Sequence, residues 1–334
     1  MPRLYDYDWR LDDNKKLTWQ PIPGVDDHDD AAFHQEILSL LVPFYNRYNK
    51  VAAFGDSSPP VQFAERADFL SVLMSMAGKD FYLASLEKGM DQLMIDVFWH
   101  ARVFNVSGSP RLIPMLEFVD HHIFAGGFTW KKMASNQRAL TLKHQAIGRK
   151  KNVYARYEIM DNLKAYVDYG FVDDTTFFIQ SLPFKMELSS SIAMDVQSQA
   201  VLLSQSGMDD WLNQPLYANS VMYRSKEGYA NNTLSLPYLL LPPKRHELAF
   251  DDALLDQLRQ VETIAALSDG DLANENTTGA IKRKLWEVNR DAYRELQESA
   301  KLASLPPSSE ATIMLKKLLK HQKAILAEFA QCLA

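Results

Sequence analysis

The sequence predicts an α+β fold in which a β-rich core lies between two helical regions. Three observations predict it. Apolar residues recur at a spacing near 3.6 from Ala31 to Phe104, the pattern of amphipathic helices. Between Arg111 and Pro183 that spacing gives way to short runs of strand type. Helical spacing then returns from Ala253 to Leu333.

The elements follow in order. Residues 1–29 are polar and acidic, ending in Asp26, Asp27, Asp29 and Asp30. A helix is expected over 31–48, with Phe33, Ile37, Leu40, Leu41 and Phe44 on its inner face and a bend at Pro43. Residues 55–60 read as a loop. Helices follow over 61–77, capped by Gly78, and over 81–104, striped by Leu86, Met90, Leu93, Val97 and Ala101. Strands are expected at 112–119, 137–142, 152–157 and 177–181, with a short helix at 160–167 among them. The interval 184–250 is mixed, with a helix expected at 194–206. Three helices close the chain, at 253–267, 281–302 and 308–333. Ser308 stands as the cap of the last one, after Pro306-Pro307. The implied domains are 1–60, helical or irregular; 61–183, with helices over 61–108 and a β-rich core over 110–183; and a mostly helical 184–334.

Composition excludes several classes of function. The chain has 334 residues, 47% of them hydrophobic and 23% charged, values of a folded globular protein. A net charge of −6 argues against a nucleic-acid binder. One cysteine, Cys332, leaves no disulfide framework and no multi-cysteine metal site. There are 13 glycines and no G-x-G, so neither the dinucleotide fingerprint nor, lacking Gly-Lys-Ser/Thr, a P-loop is present. No apolar stretch approaches the ~20 residues of a membrane span. The polar start is unlike a secretory signal, and a cytoplasmic protein with no membrane partner is expected.

Three segments carry the chemistry. They are Val97-Phe-Trp-His-Ala-Arg-Val-Phe-Asn105, Leu112-Ile-Pro-Met-Leu-Glu-Phe-Val-Asp-His-His122, and Asn152-Val-Tyr-Ala-Arg-Tyr157 followed by Asp161 to Asp173. In this order and spacing they resemble the SET-domain protein lysine methyltransferases, and in particular the branch similar to Rubisco large-subunit methyltransferase. Phe98-Trp99, Ile113-Pro114 with Glu117, Asp120 and His121, Tyr157, Leu163, and Tyr169-Gly170-Phe171-Val172 carry the likeness. It covers about 61–183, and Lys320 to Leu326 is similar to a motif late in that branch.

The resemblance implies a SET-like β-core split by helices, with a helical substrate domain behind it. It implies methyl transfer from S-adenosylmethionine to a lysine amine, a direct displacement that needs alignment and exclusion of water. Tyr169 and Tyr157 would line the lysine channel as catalytic tyrosines. Asp120, His121 and Phe171 would hold the cofactor, and the partner would be a protein or peptide. The chain also departs from the pattern. The glycine-rich opening is missing, Asn105 to Gly108 lacks the expected arginine, Gly148 to Lys151 is basic where the family is acidic, and Asp120 replaces an asparagine. These departures predict an eroded cofactor site and hence a non-catalytic, polypeptide-binding alternative. A third reading comes from Asp120-His121-His122 after a strand, the signature of metal-dependent phosphoesterases. Finally, Lys316, Lys317, Lys320, His321 and Lys323 predict a basic outer strip suited to an acidic protein.

Overall fold

The protein is α+β, and its architecture is that of a computed structural model. It describes residues 2–24, 30–106, 109–113, 120–121, 128–132, 138–142, 145–146, 153–155, 160–188, 192–196, 219–225, 232–236, 239–240, 254–256, 258–259, 262–263, 272–331 and 333. For 105–109, 120–153, 155 and 192–240 the description is of backbone.

The N-terminus forms a hairpin that the sequence reading leaves irregular. β1 (Tyr7–Leu11) pairs antiparallel with β2 (Leu17–Pro21), placing Trp9 opposite Trp19. Tyr7 and Trp9 point inward while Asp8 and Arg10 point out, the period-2 alternation of a half-buried strand. The Asp12 carboxylate closes the turn by accepting from the backbone N–H of Asn14 and Lys16 at 2.9 and 2.8 Å.

Helix α1 (Ala31–Arg47) runs through Pro43 without interruption. Its Asn46 amide donates to Leu17 O and accepts from Leu17 N, at 2.8 and 2.7 Å, fastening the hairpin to the helix. The expected inner face of α1 is corrected by this docking. Leu38, Leu41, Val42 and Tyr45 are buried, whereas Phe33, Leu40 and Phe44 face solvent.

Residues expected to be a loop are helical: α2 (Lys50–Ser57) and α3 (Pro59–Gln62). α4 (Ala67–Ala77) ends on Gly78 as expected, but the helix expected from Val61 is broken by a turn at 63–66. The long helix expected over 81–104 is two, α5 (Phe81–Glu87) and α6 (Met90–His100). Gly89 separates them at φ +124°, a conformation open in practice only to glycine. α6 is the shared wall of the molecule. Leu93 and Val97 enter a core with α4, α7 and the C-terminal helices, while Ile95, Phe98 and Trp99 enter a second core with the hairpin and α1. A helix apolar on both faces belongs inside, which is why Phe98 and Trp99 are buried.

Short strands occupy the next part, as expected, although Val103 and Phe104, expected to end the preceding helix, belong to the first of them. β3 (Val103–Val106) pairs with β4 (Ser109–Leu112), and β6 (Phe128–Lys132) with β7 (Arg138–Leu142). β5 (Asp120–His121) lies parallel to β9 (Val153–Ala155), which also pairs antiparallel with β8 (Gln145–Ala146). α7 (Asn162–Tyr169) follows, then β10 (Ile179–Gln180).

A further correction concerns 184–236. β11 (Phe184–Glu187), β12 (Ile192–Val196), β13 (Asn219–Ser225) and β14 (Asn232–Leu236) form an antiparallel meander. Met194 to Val196, expected to open a helix, are therefore extended, because β12 pairs on both sides. β15 (Leu239–Leu240) pairs with β10. Residues 254–256, 258–259 and 262–263 are helical. α8 (Glu275–Leu302) and α9 (Glu310–Ala330) complete the fold. Asn274 caps α8, and Ser309, one residue beyond the expected Ser308, caps α9.

Candidate functional site

The last of the resembling motifs is built on α7. Asp161 caps the helix, accepting from Lys164 N at 3.1 Å and Gln180 N at 3.0 Å. The fully buried Asn162 donates to Asp173 O, contacts His321 Nδ1 at 3.1 Å and accepts from Asp173 N, so helix and turn hold each other. Tyr166 donates to Ala311 O at 2.8 Å, tying α7 to α9. Tyr169 is the last residue of α7, half-buried, with its ring 6.0 Å from that of Phe171. Gly170 turns the chain at φ +77°, and a Cβ there would meet Ser57 O at 3.0 Å, so glycine is required twice over.

The other expected site residues fall as follows. Asp120 and His121 form β5, opposite Tyr154 and Ala155 of β9, while their side chains lie outside the described residues. Tyr157 also lies outside them. The basic strip is divided. Lys316, Lys320 and Lys323 are exposed, but Lys317 donates to Val172 O at 3.0 Å and pairs with Asp174 at 2.9 Å, and His321 meets Asn162. Among the described residues no three His, Cys, Asp or Glu side chains group to hold a metal ion, and no helix is long and apolar enough to cross a membrane.

A charged cluster that sequence reasoning missed lies beneath Tyr169. Asp168 is 1% exposed and Lys79 11%, and their charged atoms stand 2.8 Å apart. Lys79 Nζ is also 2.8 Å from His100 Nε2, which stands 3.4 Å from the second oxygen of Asp168. Lys79 is thus the hub. Burial alone would push the Asp168 carboxyl up, but the His100 contact and the Lys79 charge outweigh it and hold the group below the usual carboxylate range. The neighbouring Tyr82 hydroxyl is buried without a hydrogen-bond partner, and burial, then the Asp168 charge, push its pKa well up. No sequence pattern joins Lys79, His100 and Asp168, which come from the connection between α4 and α5, from α6 and from α7.

Asp161 behaves oppositely. Burial raises its pKa to about 6, against the cap hydrogen bonds from Lys164 and Gln180. Below the ordinary carboxylate value of 3.8 both the folded and unfolded chains are protonated here. Between there and about 6 only the folded chain keeps the proton, so the contribution to stability is present at low pH and falls as pH rises to 6. Urea denaturation of wild type and Asp161→Asn at pH 4 and pH 7 checks this. The variant is expected to gain about 2–3 kcal/mol relative to wild type over that interval.

The second feature is a cavity of about 720 Å³ between the hairpin and α6. Tyr7, Trp9, Ile95 and Trp99 supply its rings and apolar wall, and Asp8, Asp96 and Lys88 its charges. Trp9 and Trp99 stack at 4.5 Å, tilted by 55°. The Asp96 oxygens accept from Ser85 Oγ at 2.6 Å and Gln92 Nε2 at 2.8 Å, so this carboxylate is oriented by two neighbours.

No family model matches the chain, and no curated protein matches it. Among solved structures it is similar to the SET domain of LSMT bound to lysine and AdoHcy, at 15% identity and TM-score 0.32, over 81% of this chain and 66% of that one. It is also similar to the same domain bound to methyllysine and AdoHcy, at 15% identity and TM-score 0.31, over 82% and 69%. A third is Rubisco LSMT bound to AdoMet, at 15% identity and TM-score 0.26, over 72% and 56%. The chain spans about two thirds of the first and just over half of the third. These are chains of the family its motifs resemble, but the overlay is too slight to bear on chemistry, which rests on the residues themselves.

S-adenosylmethionine can be tested against those residues. The resembling family lays the methionine part of the cofactor on an open glycine backbone near the start of the domain. Here residues 1–23 contain no glycine, and in the hairpin the Tyr7 ring meets Trp9 at 6.0 Å, tilted, and Trp19 at 5.3 Å, edge-on. No G-x-G occurs anywhere in the sequence, so the glycine-rich cofactor segment that the resemblance implies is not found.

Proposed function

We propose that this chain is a SET-like protein whose working surface holds a polypeptide, with the cofactor half of a lysine methyltransferase site eroded. The observation that carries the reading is the aromatic hairpin with its cavity, in a chain that has no G-x-G segment. The retained part is the turn from Tyr169 to Val172, which keeps the motif's residues and is bolted to α9 and, through Asp168, to Lys79. The rings of Tyr7, Trp9 and Trp99 with the carboxylate of Asp96 suit a basic side chain, whose stem packs on rings and whose head meets carboxylate, while Asp8 is paired with Arg10 at 2.7 Å. Lys316, Lys320 and Lys323 offer an acidic stretch of the same partner a second contact. The cytoplasm is the compartment that agrees with a single cysteine.

Calorimetric titration with S-adenosylmethionine and S-adenosylhomocysteine tests the eroded half. The expected result is no measurable heat at 100 µM cofactor, since each lost charge-assisted hydrogen bond weakens binding by about 1.5–3 kcal/mol. Low-micromolar binding would restore the methyltransferase reading. Tryptophan fluorescence during titration with a lysine-rich peptide and its neutral glutamine analogue tests the retained half. Quenching by the first alone is expected, and equal response to both peptides would sink the cavity's role.

A further inference from the structure

Helix α1 has two apolar faces, and the fold uses one. Leu38, Leu41, Val42 and Tyr45 are buried against the hairpin and α6. On the other side Phe33 is 57% exposed, Leu40 71%, Phe44 39% and Tyr48 54%. With the half-buried Ile37 they are spaced 4, 3, 4 and 4 residues apart, a continuous stripe along the helix. Scattered exposed apolar residues are ordinary, but an aligned row of this length marks an interaction surface.

The charges beside the stripe say what it meets. Glu36 and Arg47 are both exposed and stand on the same flank of the row. They are equidistant from a point between Leu41 and Val42, about 16 Å apart along the axis at 1.5 Å per residue. A second α1 laid antiparallel about that point brings Glu36 against the partner's Arg47, and Arg47 against the partner's Glu36. In an antiparallel pair a flank meets the same flank of its partner, so both contacts form together. The same register sets Leu40 beside the partner's Pro43, and Phe33 within one turn of the partner's Tyr48. The face is complementary to itself, as a two-fold interface requires.

We infer that the protein forms a two-fold dimer through antiparallel packing of its α1 helices. One helix face buries less than the ~800 Å² per partner of a standard interface, the size class of weak and transient associations. Sedimentation equilibrium of the full chain between 1 and 200 µM is the test. The expected result is a mass rising from 38.1 kDa toward twice that value. Leu40→Glu should hold the chain monomeric over the whole range with its thermal melting unchanged, because Leu40 makes no core contact. Glu36→Arg should weaken the dimer about three- to tenfold, by setting like charges opposite each other. Joining it with Arg47→Glu should restore the wild-type constant. A monomer at 200 µM, or a dimer indifferent to Leu40→Glu, overturns the interface. Failure of the double exchange to restore association overturns the antiparallel register.

Discussion

Asp168→Asn should destabilise the protein by about 3–5 kcal/mol, the usual cost of removing one member of a buried ion pair. The loss comes from what stays behind: Lys79, nearly as buried, keeps its charge with only neutral acceptors, the new amide oxygen and His100 Nε2, in place of a countercharge. The pair itself is worth less than the damage done by breaking it. A Lys79→Met, Asp168→Leu double variant removes both charges and is expected to recover most of the loss, to within about 1–2 kcal/mol of wild type. Urea denaturation of the two variants at pH 7 distinguishes these outcomes. Asp168→Asn within about 1 kcal/mol of wild type would show that Lys79 reaches water and that the cluster is not a closed one. The pH profile gives a second check. The folded carboxyl lies below its unfolded value, so its contribution is full above about pH 4 and is lost as pH falls through the folded pKa. That sign is opposite to the one expected for Asp161, and the two variants should alter different parts of the acid limb.

How much of this was legible in the sequence depends on what made each element. α8 and α9 were readable because Ile281, Leu285 and Leu296, and Leu315, Leu318 and Ile325, each face one core, and periodicity reports a single buried face well. α1 defeated the same rule because it has two apolar rows, and only the docking of Asn46 onto Leu17 decides which turns inward. The hairpin was hidden because its strands have only five residues each, with Asp8, Arg10, Thr18 and Gln20 at their outward positions. Met194 to Val196 looked helical beside the Gln-Ser-Gln-Ala that follows, yet pairing with β11 and β13 overrides that preference. In the candidate site, Tyr169, Gly170 and Phe171 were legible as a motif. Lys79 and His100 were not, since an ion pair between distant segments leaves no trace in local spacing.

Trp99→Ala is the second large effect, expected to cost about 3–5 kcal/mol, the range for emptying an aromatic site in a packed core. Trp99 is 1% exposed, and its ring meets Trp9 at 4.5 Å, Phe98 at 4.9 Å and Tyr45 at 5.9 Å. These neighbours come from β1, α6 itself and α1, so one indole joins the hairpin to both helices. Its loss also removes a wall of the cavity, and peptide binding should fall with it. Trp9→Ala separates the two consequences. Trp9 stands at the margin of the same cluster, with its Nε1 donating to Leu4 O at 2.9 Å, and its removal should cost about 2 kcal/mol less while opening the same cavity wall. Both variants should lose the near-ultraviolet circular dichroism of the stacked indoles. Only Trp99→Ala should shift the urea midpoint of the whole chain by the larger amount. If Trp99→Ala removes the indole signal but leaves that midpoint in place, the hairpin unfolds independently of the helical core. The cavity is then the property of a separate N-terminal unit, and the working surface proposed for this protein belongs to that unit rather than to the whole fold.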